Sequence, residues 1–443
     1  MKKEAKRALA AAALILSLAA CARRPEGDAA SREPTGEVCT ETDAPHAVPQ
    51  GGKFTVVRSG GERRDSLERA IRLRDMAAKE RTGVTVVYAD AADDGAAEIA
   101  AAADCLSGDH GFGAAEGSFS RLCAPLLAKG VLRAAEEFGG ALGEASLNPT
   151  LKTKNGTFFI TGAIVPASLG DVSCIAVNLE TARRFNVRVP DAGTLSGRFG
   201  WDALTASAAL VPDGVGIYRY GSIDRSLGAA ILLSSGNGVT KEEDGVPGIA
   251  AIAGEAKKIL GRAAAAFGDG AVCFRPDAAI PEGERGAAVR SAFSDPGILY
   301  LFCKTGDIPS LREAGDEISV VPYPGEKSAA DSVRGTAGVI LRGGGATAPV
   351  LSALEETSLK YTYPEAIDAY LSGRTQYDSA SRGALLSVLS GAIYEPSFAL
   401  AGAGGEELNE MLSAAAEGEA DALVGWELKA AIANLEIEKI LGE

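Results

Sequence analysis

The sequence predicts an α/β fold in which short strands alternate with helices around mainly parallel sheets. Three observations predict it. The stretch from Phe54 to Tyr88 reads strand, helix, strand, a βαβ unit that requires parallel pairing and a right-handed crossover. The same alternation recurs further along the chain. Finally, 443 residues with 46 % hydrophobic content suffice for two packed domains and argue against a disordered chain.

Each element has a local reason. Phe54-Thr55-Val56-Val57 has strand composition and ends in Ser59-Gly60-Gly61. Asp65-Ser66 can cap a helix whose apolar face is Leu67, Ala70, Ile71, Ala77 and Ala78. Arg74 interrupts that face, and Gly83 is placed to end the helix. Val84 to Tyr88 is the second strand. Ala92 to Ala103 reads as helix, Cys105-Leu106 as a short segment, and Ser107 to Gly117 as a glycine-rich loop. Short helices are expected at Ser120 to Lys129 and Arg133 to Phe138, then strands at Gly156 to Ile160 and Cys174 to Asn178. Helices over Leu179 to Phe185, Trp201 to Leu210, Ile249 to Phe267 and Ala287 to Phe293 follow. Gly297 to Cys303, Ile318 to Pro322 and Gly338 to Leu341 read as strands. Ala348 to Leu359 is a helix, and from Tyr363 the pattern is helical with breaks near Gly373, Gly391 and Gly402.

The N-terminus is of another kind. Lys2, Lys3, Lys6 and Arg7 precede an apolar run from Ala8 to Leu16, well short of the roughly 20 residues that span a bilayer. Leu18-Ala19-Ala20-Cys21 resembles the bacterial lipobox, which implies cleavage before Cys21 and acylation of its thiol. A plain cleaved signal is the alternative. Ala22 to Gly52, with Pro25, Pro34, Pro45 and Pro49 and no apolar periodicity, reads as a flexible tether.

Composition narrows the function. A net charge of −15 excludes a phosphate-binding nucleic-acid surface, which needs clustered Lys and Arg. Two histidines and no CxxC make a transition-metal site improbable, and no cofactor is expected. Six cysteines follow Cys21; an even number permits disulfides, with Cys105 and Cys123 the nearest pair, while buried free thiols are the alternative. Adjacent carboxylates such as Asp93-Asp94 and Glu136-Glu137 diverge on a helix, and no GxSxG is present, so catalysis is not expected.

Five further pieces stand in a telling order. They are Val177-Asn178-Leu179 with Phe185-Asn186-Val187, Gly197 to Leu204 around Trp201, and Ala292 to Leu301. Thr305 to Arg312 and Ile318 to Gly325 complete the series. Together, behind a lipobox, they resemble the family 1 extracellular solute-binding proteins of ABC importers, a group rich in sugar binders, over roughly residues 52 to 400. Val177 and Leu179 replace the family's tyrosine and lysine, and Tyr323-Pro324-Gly325 lacks its lysine.

The resemblance implies a two-lobed periplasmic-binding-protein-like fold with ligand in the cleft of a multi-segment hinge. One lobe is expected from 52–160 and 325–360, the other from 161–324 and 361–443, after a signal at 1–20 and a tether at 21–51. It further implies a monomer held to the outer face of the cell membrane by its lipid alone. Such a monomer passes a small solute, a sugar in most relatives, to the transmembrane subunits of a permease. A fold kept as a sensor or surface interaction protein is the other reading.

Candidate ligand contacts follow, each with a structural alternative. Ser59 and Gly61 end the first strand and could offer backbone N–H groups, or merely turn the chain. Asp109 lies in the glycine-rich loop, which could equally be plain exposed surface. Asp171 precedes a strand near the expected first crossing. Trp201 offers an aromatic face to a sugar's C–H groups, or packs the start of its helix. Tyr220, two residues from Tyr218, has the same choice. Lys304 and Asp307 lie where the family has a polar cleft loop, and Tyr323 lies at the expected second crossing.

Overall fold

The computed structural model describes residues 52–59, 65–91, 95–97, 99–100, 113–143, 146–189, 200–277, 279–313, 317–325, 327–342, 347–371 and 379–441. Cys21, Gly61 and Asp109 lie outside them, as do Cys39 and Cys105.

The first sheet takes β1 (Lys53–Ser59), β2 (Thr85–Ala91), β3 (Ala114–Ser118), β4 (Leu132–Arg133) and a late strand, β9 (Thr336–Leu341), in the order β2-β1-β3-β9-β4. β1, β2 and β3 are parallel, whereas β9 runs antiparallel to β3 and β4. Helix α1 (Asp65–Thr82) makes the first crossover, and Gly83 ends it at φ +72°, a conformation costly for any side chain. Arg74 does not interrupt the packing. It is 1 % exposed and reaches Asp75, Tyr88 and the Ile164 carbonyl, so it ties α1 to β2 and to the chain leaving the lobe.

The second sheet has the order β8-β5-β7-β6, from β5 (Ser173–Asn178), β6 (Tyr218–Ser222), β7 (Ile298–Lys304) and β8 (Ile318–Val321). β6 and β7 are parallel, and Cys273 bridges to Tyr220 in parallel at the outer edge. β5 is antiparallel to both its neighbours, so this sheet is mixed rather than mainly parallel. The reason lies in the route. β5 starts where the chain arrives from the first lobe, whereas β6 and β7 end on that side. All of β5 and nearly all of β7 are buried, so helices cover both faces.

Two strands of chain link the sheets. The outgoing one bridges at Ile160 to Gly338, makes tight turns over Gly162–Ile164 and Pro166–Asp171, and bridges at Val172 to Ala330 of the returning one. A long helix, α4 (Ala348–Leu371), packs on α1 and carries Tyr370 to the Pro166 carbonyl. It continues through Pro364, past the end expected near Leu359. Burial of Ala366, Ile367 and Tyr370 offsets the backbone bond that proline forfeits.

Of the remaining helices, α2 (Leu227–Ser234) meets α6 (Ala403–Ala416) so closely that a Cβ on Gly228 would fall 2.0 Å from the Leu412 carbonyl oxygen. α3 (Gly254–Phe267) and α7 (Trp426–Leu441) also pack on α6, while α5 (Ser379–Ser390) packs on β8. Cys123, Cys174, Cys273 and Cys303 are buried free thiols, with Cys174 and Cys303 facing each other across β5 and β7 at 3.9 Å.

Candidate functional site

The parallel strands of both sheets end toward the linking segments, the side where open α/β sheets present free backbone groups to ligands. On the first sheet β1 ends at Ser59, whose hydroxyl packs against Gly117; a Cβ there would come within 2.4 Å of Ser59 Oγ. β3 ends at Ser118, and the next turn sends Ser120 and Arg121 to Glu406 of α6. Arg334, on the returning segment, reaches Glu406 and Glu410. This row of charges joins the first sheet to the helices of the second.

On the second sheet β6 runs into Asp224-Arg225-Ser226. Asp224 Oδ1 accepts the Ser226 N–H and opens α2, while Oδ2 accepts the hydroxyls of Ser173 and Tyr323, each at 2.7 Å. β7 ends at Lys304, whose main-chain N–H donates to Asp307 Oδ2 at 3.0 Å. The Lys304 ammonium turns to Asp331, which is fully buried and also accepts the N–H groups of Val333 and Arg334. Burial alone would raise Asp331, but Lys304 and these donors hold it down at about 2. The same lysine stays charged despite burial because Asp331, Asp224 and Asp171 surround it.

Asp171 sits on the outgoing segment and accepts the Thr336 N–H at 2.7 Å. Burial, assisted by Asp331, pushes it up to about 6 against the pull of Lys304. The folded value exceeds the unfolded carboxylate value of about 3.9, so the native state binds the extra proton. That contribution to stability is complete below about pH 4 and is lost as pH rises through 6. Asp171→Asn keeps the acceptor for Thr336 and removes the charge. Urea titrations should therefore find the variant gaining on the native chain as pH rises from 4 to 7; a difference independent of pH would contradict this.

Beyond Asp224 the carboxyl ends of the second sheet open into a cavity of about 690 Å³, a size suited to a small ligand. Its wall includes Asp224, Arg225, Phe274, Arg275, Arg290 and Glu417. Arg290 lies 3.6 Å from Asp307, which burial pushes up.

No protein-family profile and no curated protein matches the chain. Solved structures do. The ABC substrate-binding protein of Listeria monocytogenes in complex with cycloalternan has a TM-score of 0.53 at 14 % identity, covering 88 % of this chain and 99 % of that one. The GacH receptor of Streptomyces glaucescens gives 0.56 at 15 %, over 89 % and 99 %. The maltose-maltodextrin binding protein of Alicyclobacillus acidocaldarius gives 0.54 at 13 %, over 87 % and 100 %. The chain has the fold of the ABC-transporter solute-binding proteins.

Within this solute-binding fold the expected contacts divide. Asp171, Lys304 and Tyr323 meet at the linking segments around Asp224 and Asp331, and Asp307 adjoins them, whereas Ser59 stands at the end of the other sheet. Three need correction, because their rings are core. Trp201 stacks on Phe302 with centroids 6.2 Å apart, and its buried indole N–H has no acceptor among the described residues. Tyr220 is wedged between Phe267 and Tyr300. Tyr323 is fully buried and acts only through its bond to Asp224. The shared side of Tyr218 and Tyr220 is real, but it faces helix α3 and the Phe274 segment. Asp224, Asp331 and the arginines of the cavity escaped the sequence reading. Asp224-Arg225-Ser226 did offer a signal, an aspartate two residues before a serine at the start of an apolar helix, the pattern of an Asx turn.

Proposed function

We propose that this chain is a lipid-anchored extracellular solute-binding protein that delivers a small carbohydrate to an ABC importer. The observation that carries the reading is the cavity at the carboxyl ends of the second sheet, held beside the hinge cluster of a solute-binding fold. Its structural neighbours include proteins in complex with saccharides, among them cycloalternan and lacto-N-biose. One lobe takes 52–160 and 325–360, the other 161–324 and 361–443. The outgoing and returning segments and α4 form the hinge, and lobe closure gives the permease a distinct shape to engage. Asp171, Lys304 and Asp307 set the polar floor of the cleft.

The anchor rests on Leu18-Ala19-Ala20-Cys21 and the tether behind it. Among the described residues no helix is long and apolar enough to cross a membrane. The protein works as a monomer beside the transmembrane subunits of its permease. Intact-mass analysis of chain purified from its host should find a lipid adduct on Cys21 that Cys21→Ser lacks; a chain without lipid removes the anchor. Deleting the gene should abolish uptake of one labelled saccharide, and unchanged uptake of every saccharide tested would remove the importer role.

A further inference from the structure

The buried cysteines among the described residues are of two kinds. Cys123 and Cys273 direct their thiols to main-chain carbonyls, those of Gly117 and Ala337 and that of Phe274. Cys174 and Cys303 instead meet each other, Sγ to Sγ at 3.9 Å, and both are fully buried. They are register partners in the antiparallel pairing of β5 with β7. Residues directly opposite in such a pair have Cα atoms about 4.5–5.5 Å apart, inside the range of roughly 4.4–6.8 Å that a disulfide bridges. Closing the remaining gap to an S–S bond of about 2 Å calls for side-chain rotation rather than a shift of either strand.

The next register pair along the same strands is Ser173 and Lys304. Ser173 donates to Asp224 and Lys304 pairs with Asp331, so the two thiols lie directly beneath the hinge cluster. The cysteines are 129 residues apart in sequence, with β6, α2 and α3 between them. A cross-link closing so long a loop restricts the unfolded chain strongly.

We propose that Cys174 and Cys303 form a disulfide site, which closes as the chain folds in the presence of a disulfide oxidant and staples β5 to β7 under the hinge. The thiolate of one cysteine attacks the oxidant's S–S bond, giving a mixed disulfide and one free small thiolate. The second cysteine, as its thiolate, attacks the protein sulfur of that mixed disulfide and expels the other small thiolate. Two protein thiols are thereby oxidised, one small disulfide is reduced to two thiols, and these take up the two protons that the cysteines release. Burial pushes the Cys303 thiol up, so its thiolate is scarce once the fold is complete, and the reaction belongs to folding.

The test refolds the purified full chain, first reduced in urea, in a mixture of oxidised and reduced glutathione. Free thiols are then trapped with iodoacetamide in urea, and the unreduced chain is mapped by mass spectrometry. A peptide pair joined through Cys174 and Cys303 should dominate, and should vanish when dithiothreitol replaces glutathione during refolding. The cross-linked chain should melt at least several degrees above the chain refolded in dithiothreitol. Cys174→Ala with Cys303→Ala should abolish that difference; the peptide map needs no variant and decides even where this one fails to fold. Alkylation of both cysteines after oxidative refolding, or either one joined to another cysteine, would overturn the site. A joined pair without a rise in melting temperature would overturn the staple.

Discussion

Asp331→Ala should destabilise the protein by about 3–5 kcal/mol, the cost of leaving one partner of a buried ion pair alone. Asp331 has no exposed side-chain surface, and the Lys304 side chain is 18 % exposed. Truncation strips the ammonium of its nearest counter-charge and the N–H groups of Val333 and Arg334 of their acceptor. Asp331→Asn, which keeps an acceptor, should cost less. Lys304→Met added to Asp331→Ala should recover much of the loss, because the uncompensated charge goes with it. The pH dependence follows from the depressed folded value of about 2. Asp331 contributes stability above the ordinary carboxylate range and loses it as pH falls from 4 toward 2, so native and variant should converge on acidification. Urea midpoints across that range give the answer, and a cost below 1 kcal/mol at pH 7 would show that the pair does not hold the hinge.

Phe302→Ala should cost a similar 3–5 kcal/mol for a different reason. The ring is fully buried, edge-on to Phe267 and Tyr323 at 4.9 Å each, and parallel to Trp201. Removing it opens a void beneath three aromatic side chains that cannot all collapse inward. Because no face of the ring meets solvent, the variant that remains folded should bind solute with native affinity. A loss of affinity without a loss of stability would return this cluster to the cleft.

These two variants mark what could be read from the sequence and what could not. The βαβ start was legible because Phe54 to Val57 and Val84 to Tyr88 are β-branched and aromatic, and β5 and β7 for the same reason. β3 was not. Ala114-Ala115-Glu116-Gly117-Ser118 has little strand propensity and becomes a strand only because small residues fit between β1 and β9, a decision made by tertiary packing. The hairpin of Thr240–Glu243 and Val246–Ile249 did carry a signal that was passed over, Asp244-Gly245, both with positive φ as its turn demands.

The site divides along the same line. Asp171 and Lys304 could be singled out as candidates because they adjoin legible strands. Asp331 was not, since its partner comes from a different part of the chain and no local pattern marks it. The aromatic residues were misplaced because spacing of two reports which residues share a face, and both faces of the second sheet are covered.

If this fold captures a saccharide, a thermal-shift panel of the purified chain will register it. Mono- and oligosaccharides, neutral and acidic, would be screened beside amino acids and short peptides. A saccharide present at 100 times its Kd should stabilise the fold by about 2.7 kcal/mol and raise the melting temperature in a concentration-dependent way. No shift with any saccharide, or a shift with an amino acid or peptide instead, would rule out saccharide capture.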